Sequence, residues 1–263
     1  MAMVHGGNKA QSTAEIKLRG VIHIHSRISY DGQETIARLA EFFRSRGYDF
    51  MCITEHSDGL KQEDMQRIIE ECAQATREDF IAVPGVEFSC RRRLHLLGIG
   101  VTEPVDSHDP VPVTQHIRSQ GGVAILAHPC AYGAETPDEL AGLLHGIEIW
   151  NQPKDGKLGP GAEPLRLWKR WRALNPALRA VGAIDFHRLD SPSSLGMEIS
   201  VSERTPKAVI QALKNGPVRL KGPWVALSGE TPPEGWPETK YFVLSRIYLS
   251  LRATRNFLTG RKR

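Results

Sequence analysis

The sequence predicts an α/β fold, with parallel strands closing or nearly closing into a barrel. Two observations predict it. Short apolar, β-branched runs alternate with stretches of helical periodicity for most of the chain, which argues parallel strands joined by helical crossovers. The chemically active residues also collect at one place in each unit. His25, His56, Glu87, His128 and the triplet Asp185-Phe186-His187 each stand at or just past the carboxyl end of a strand-like run. That is the rim on which a parallel barrel builds its site. Roughly seven such units suit a barrel better than an open sheet.

The first strand spans residues 18–25, where the side-chain period of two sends His23 and His25 to one face. Asp31 and Gly32 follow in the loop that leaves it. A helix is expected over 34–46, with Ile36, Leu39, Ala40 and Phe43 on one face and Gly47 as its stop. Residues 49–54 form a second apolar run ending at Glu55 and His56, and 61–77 a second helix striped by Met65, Ile68, Ile69 and Cys72. Strands follow over 80–86, ending at Glu87, and over 93–101, which begins near His95. The Pro-rich segment 102–113 reads as a loop, 113–120 as a helix, and 123–127 as a buried strand ending at His128. Pro137 marks a helix start. A strand over 147–151 leads to a Gly/Pro/Lys-rich loop, 152–164, and then a helix over 165–174. Strands over 180–184 and 196–201 and a helix over 206–214, capped by Thr205, complete the series.

The chain has 263 residues, 40% hydrophobic and 24% charged, ordinary globular values with length enough for a sizeable core. No run of about 18 apolar residues appears, so no transmembrane helix is expected. The polar start lacks a signal-peptide pattern, and four scattered cysteines (Cys52, Cys72, Cys90, Cys130) show no metal or redox spacing. A cytoplasmic chain with reduced thiols that serve packing is expected. The net charge is +4, but residues 241–263 carry +6 and no acid, leaving −2 on the other 240. The body is therefore no basic nucleic-acid binder; only the tail is basic.

The candidate metal ligands are His23, His25, Asp31, His56, Glu87, His95, His128, Asp185 and His187, including six of the ten histidines. All offer nitrogen or oxygen, a set that suits Mn, Zn or Fe rather than Mg alone. Nine donors exceed what one ion of about four to six coordination takes, so two or three divalent ions are implied. His5, His108, His116 and His145 lie in the leader, a loop or helical stretches and are read as solvated.

In order, the motifs His23-x-His25, Asp31-Gly32, Ile53-Thr54-Glu55-His56, Pro84-Gly85-Val86-Glu87, His95-Leu96-Leu97-Gly98, Ala127-His128-Pro129 and Asp185-Phe186-His187 resemble those of the PHP (polymerase and histidinol phosphatase) superfamily. The resemblance covers about residues 18–225 and is specific for superfamily, not for substrate. It implies a distorted seven-stranded TIM-like (β/α)7 barrel with a trinuclear metal site at the C-terminal rim. One ion would be held by His23, His25, Glu87 and Asp185. Another would sit on Glu87 as a bridge with His95 and His128, and a third on Asp31, His56 and His187. The family commonly has Asp where Glu55 stands, at a position that is not a ligand. Some relatives insert a lid between the positions of His95 and His128; the short separation here implies a more open site. The domain reading is a flexible leader (1–17), a metallophosphoesterase domain (18–226), and a Pro-rich linker with a basic amphipathic C-terminal helix (227–263).

The chemistry expected of such a cluster is hydrolysis of a phosphate monoester, by in-line attack of a metal-bound hydroxide on phosphorus. Asp185 and His187 are the candidates for proton transfer. Arg27 and Arg188 are the candidate phosphate-binding cations. Asn151 is a candidate for either substrate or ligand support, with Glu148 taken as structural. The run Arg91-Arg92-Arg93, between Glu87 and His95, is a candidate for a second phosphate or a polyanion. The alternatives are a nuclease acting on nucleic-acid ends and a non-catalytic, metal-stabilised scaffold. Leu244, Ile247, Tyr248, Leu251 and Leu258 stripe the tail. Docking on the barrel is the preferred reading, and contact with an anionic membrane or a partner is the other.

Overall fold

The computed structural model describes residues 15–131, 134–190 and 194–234, and within the C-terminal stretch residues 239–241, 243–244, 247–248, 250–251 and 254. The expected elements appear nearly in register. β1 (Ile16–Ile24) leads to α1 (Ile36–Arg44), β2 (Phe50–Ile53), β3 (Glu55–His56), α2 (Gln62–Ala75), β4 (Ile81–Val83) and β5 (Gly85–Cys90). β6 (Leu94–Ile99), α3 (Pro110–Ser119), β7 (Val123–Ala127), β8 (Gly146–Asn151) and α4 (Gln152–Asp155) follow. The series closes with α5 (Ala162–Leu174), β9 (Arg179–Ala183), β10 (Gly196–Val201), α6 (Pro206–Asn215), β11 (Val218–Lys221) and β12 (Ala226–Ser228).

The strands fall into two six-stranded sheets, ordered β12-β11-β10-β1-β2-β4 and β3-β5-β6-β7-β8-β9. The chain crosses between them at Thr54 and again at Pro84, which has no N–H to give to a ladder. Gly85 is required there: a Cβ would sit 2.6 Å from the Gly98 carbonyl oxygen and 2.8 Å from that of Ile53. On the far side the chain beyond β9 lies along β1. Ile184 N–H donates to Ile22 O, Phe186 N–H to His23 O, and His25 N–H to Phe186 O, at 3.3, 3.0 and 2.9 Å. Asp185 and His187 are thereby fixed beside His23 and His25.

Pairing is less uniform than the alternation of elements suggests. β1–β2, β2–β4, β3–β5, β7–β8 and β8–β9 are parallel, whereas β5–β6, β6–β7 and β1–β10 are antiparallel. Only the 3₁₀ turn Arg91–Arg93 separates β5 from β6, too little chain for the crossover that a parallel pair requires. α3 begins at Pro110, inside the segment read as loop, because Asp109 caps it by accepting from Val111 N–H at 3.0 Å. After Pro137 only a 3₁₀ turn forms, Asp138–Gly142. The loop read over 152–164 holds α4 and the first turn of α5, and β11 and β12 extend the first sheet beyond the elements read from sequence.

The helices pack apolar faces on the sheets. α1 buries Ile36, Leu39, Ala40 and Phe43, with Thr35 Oγ accepting from Arg38 N–H at its start. Trp150, Trp168, Trp171, Phe43, Phe50, Phe80, Phe88 and Phe186 are the largest fully buried side chains. In the C-terminal stretch Tyr241 is buried against Gly159 and Tyr248 lies over Gly156, while Val243, Ile247 and Leu251 stay exposed. Leu258 and the tail's basic residues lie outside the described residues. No helix among the described residues is long and apolar enough to cross a membrane.

Candidate metal centre

Glu87 lies at the middle of the site, fully buried in β5. Its Oε2 is 3.2 Å from His23 Nε2, 3.3 Å from His25 Nε2 and 3.2 Å from His56 Nδ1. Its Oε1 is 2.8 Å from His95 Nδ1 and 3.1 Å from His128 Nε2. Asp185 Oδ1 stands 3.6 Å from His23 Nε2 and 3.7 Å from His187 Nδ1. Asp31 closes the open side, 3.3 Å from His56 Nε2 and 3.1 Å from His187 Nε2. All nine residues picked from sequence as ligands are thus brought to one place. Among the described residues, donor atoms within 4.8 Å of one another form three groups: His25, Asp31, His56 and His187; His23, His25 and Asp185; and His23, Glu87 and His128. The cysteines are all free, and none belongs to these groups.

Two features show that the donor set fits divalent cations. The Nε2 atoms of His23 and His25 are buried with no hydrogen-bond partner. An orphaned buried nitrogen is costly unless something else satisfies it, and here two are directed at carboxylate oxygens. The backbone is also strained at the ligands: His23, His128 and Asp185 have φ of 65°, 25° and 43°. Non-glycine residues avoid this left-handed region, and such strain gathers at functional sites.

The electrostatics agree. Burial disfavours a charged His23, but Glu87, Glu148 and Asp185 outweigh it and raise its pKa well above the ordinary range. Burial lowers His25 to about 4, leaving its imidazole neutral at pH 7 and available as a donor. Burial alone would raise Glu87, but its histidine partners, His23 first, hold it well below the usual carboxylate range. For His56 burial works downward, and Glu87 and Asp31 overcome it to give a raised pKa. Without metal, His23 and His56 therefore keep protons that a cation must displace. Mn affinity should rise as pH climbs above the ordinary imidazole range, where these two raised groups give up their protons, with protons released on uptake. Calorimetric titration in buffers of differing ionisation heat measures this, and pH-independent uptake would contradict it.

A supporting layer holds the ligands in place. Glu148, completely buried in β8, accepts from His23 Nδ1 at 2.7 Å, from His128 N–H at 2.8 Å and from the Asn151 side-chain amide at 2.9 Å. Asn151 lies behind the site rather than on its surface, with its Oδ1 capping α4 at Lys154 N–H. Glu55 accepts from Ser26 N–H, Ser29 N–H and the Ser29 hydroxyl. It shapes the loop carrying Asp31. Gly32 lets that loop close, since a Cβ there would overlap the Ser26 carbonyl.

The two proposed phosphate cations are placed differently from Lys154, which sequence reading missed. Arg27 is exposed at the start of the Asp31 loop. Arg188 is exposed and paired with Asp190 through Nε and Nη2 at 3.1 and 3.0 Å. Lys154 Nζ lies 3.5 Å from Asp185 Oδ2. Its position on the four-residue α4, inside what reads as loop, left no periodic signal.

No family model and no curated protein matches the chain. Solved structures do. A two-domain protein from Bacteroides vulgatus containing a predicted PHP-like metal-dependent phosphoesterase aligns with TM-score 0.61 at 18% identity over 79% of this chain. The chain spans 65% of that protein's length. PsfC from Pseudomonas syringae aligns with TM-score 0.54 at 17% identity, over 89% of this chain and 99% of its own. The lesion-specific endonuclease EndoQ from Pyrococcus furiosus aligns with TM-score 0.50 at 13% identity, over 76% of this chain and 56% of its own. The motif order in the sequence and the arrangement of the strands agree, and the chain has a PHP-type fold.

Proposed function

We propose that the chain is a metal-dependent phosphoesterase that hydrolyses a phosphate monoester. In this reading the two sheets act as one distorted barrel, and the rim cluster holds two or three ions of Mn, Zn or Fe. The observation that carries it is the Glu87 carboxylate ringed by the imidazoles of His23, His25, His56, His95 and His128, with two imidazole nitrogens left unsatisfied. Divalent ions at such a site supply Lewis acidity toward a phosphoryl group and lower the pKa of water. The chain's own part is to orient and to move protons. Burial would raise Asp185, but His23, Lys154 and His128 keep it ionised at neutral pH. In this reading Asp185 and His187, 3.7 Å apart in the cluster, exchange a proton with water or with a leaving alkoxide. Lys154, on the other Asp185 oxygen, is placed to meet the anionic substrate.

The test is turnover of a phosphomonoester panel, including p-nitrophenyl phosphate, by Mn-loaded protein. Hydrolysis should disappear on chelation and fall by about a hundredfold or more in Asp185→Asn. A second reading, action on nucleic-acid ends, is favoured by Tyr30, a residue 79% exposed whose ring stacks on His56 at 4.8 Å. An exposed aromatic face beside the reacting centre suits a base. Shortening of oligonucleotides with no monoester turnover would favour that reading. Bound metal with no turnover of either kind would leave the scaffold.

A further inference from the structure

We propose that the turn Arg91–Arg93 is a second anion subsite, so that the substrate carries a further phosphate beyond the one hydrolysed. This rests on the phosphoesterase reading. The turn joins β5, which carries Glu87, to β6, which carries His95: Ser89 pairs with His95 and Cys90 with Leu94, and Arg91–Arg93 follows at once. Arg91 follows Glu87 by four residues, so the turn begins about 13 Å along the strand from Glu87 at a rise of about 3.3 Å per residue, and an arginine side chain reaching back from it can meet a phosphate about 10 Å from the centre.

The backbone sets this turn apart. Among the described residues, five non-glycine residues have a left-handed φ. Three are the metal-ligand candidates His23, His128 and Asp185, and the other two are Arg92 and Arg93, at 62° and 59°. Consecutive arginines in this region are strained, and a glycine would relieve it. The turn is pinned from outside in that conformation. Arg91 N–H donates to His108 O at 2.7 Å, and Arg92 O accepts from Glu135 N–H at 3.2 Å.

The charge is also placed for use. All three side chains are exposed. Neither Arg91 nor Arg92 is in an ion pair among the described residues, in contrast to Arg188, which Asp190 holds. They stand on a body whose first 240 residues sum to −2, so the patch is local rather than part of a general basic surface. Guanidinium groups bind phosphate by charge-assisted, often paired hydrogen bonds. A ligand with phosphates about 10 Å apart would occupy the metal centre and the turn together.

The probes are hexane-1,6-diol bisphosphate and hexyl phosphate, which differ only in the second phosphate. Their Kd values are measured calorimetrically on Mn-loaded protein, with turnover recorded separately. Wild type should bind the bisphosphate about tenfold more tightly. Arg91→Gln/Arg92→Gln should bring the two affinities together while leaving that for hexyl phosphate unchanged. The wild-type preference should shrink as salt is raised from about 50 to 200 mM. Both sites are exposed, so an unchanged melting temperature checks the fold. Equal affinities in wild type, or equal losses on both probes in the variant, would overturn the subsite. A retained preference without any turnover would instead overturn the proposed reaction and leave the subsite standing. Turnover with no preference would do the reverse.

Discussion

Glu87→Gln should strip the centre of metal and remove turnover, by about a thousandfold or more. Both Glu87 oxygens are engaged, one facing His23, His25 and His56 and the other facing His95 and His128. A carboxylate between two groups of imidazoles can bridge two cations and neutralise part of their charge. A carboxamide has one acceptor and no charge, and its NH₂ would point at nitrogens whose lone pairs belong to metal. Excess Mn should therefore not rescue the variant. The metal-free protein should weaken as well. Glu87 is ionised in a fully buried place because histidines, His23 above all, compensate the cost of burial, and removing one partner of a buried ion pair costs about 3–5 kcal/mol. Metal content by mass spectrometry, melting temperature and turnover measure the three effects. A variant that keeps its metal and its rate would show that the centre is organised elsewhere.

Much of this centre is legible in the sequence, because its residues obey a positional rule. Ligands at strand ends can be recognised from short apolar runs even when the pairing of those runs is not known. The pairing itself was harder. Alternation of strand-like and helical stretches implies parallel neighbours, yet the three-residue turn Arg91–Arg93 forces β5 and β6 antiparallel. The alternation argument for His23 and His25 reached the right face over an irregular backbone. His23 has a left-handed φ, and the β1–β2 register shifts between Val21 and Ile24. A pattern of residue types carries no trace of such a kink. A helix start was readable where the cap and the periodicity coincide, as at Thr205, while the start read at Glu34 fell two residues before Ile36. Starts were missed where prolines obscured the cap, as at Asp109. Glu148 is the instructive case. A lone carboxylate in the strand Gly146–Asn151, every residue of which is buried, has to be paired with something. Sequence alone cannot say that its partners lie on β1 and beyond β7.

Glu148→Gln should lower metal affinity by about 10- to 100-fold, and its activity should recover as Mn is raised. The His23–Glu148 contact fixes which imidazole nitrogen carries the proton. With Nδ1 donating to Glu148 Oε1 at 2.7 Å, Nε2, facing Glu87 and Asp185, is the nitrogen that would give up its proton to a cation. Glutamine can still accept at one oxygen, but it no longer supplies the negative charge that makes His23 more basic. It also cannot serve His23 Nδ1 and both donors at Oε2, His128 N–H and the Asn151 amide. His128, at φ 25°, depends on that hydrogen bond to hold a strained backbone, so its ring should lose its fixed position along with His23. Asn151→Ala should cost less than Glu148→Gln, because it removes one donor to Glu148 and the cap of α4. In the double variant the losses should fall short of additive, since both act through the same carboxylate. Activity plotted against Mn concentration separates the two classes of residue. A right-shifted curve reaching the wild-type plateau identifies a residue that positions ligands, as expected for Glu148, and a plateau that stays near zero identifies a ligand, as expected for Glu87. If Glu148→Gln instead gave a dead plateau with wild-type metal content, Glu148 would act on the reaction itself and not through His23 and His128.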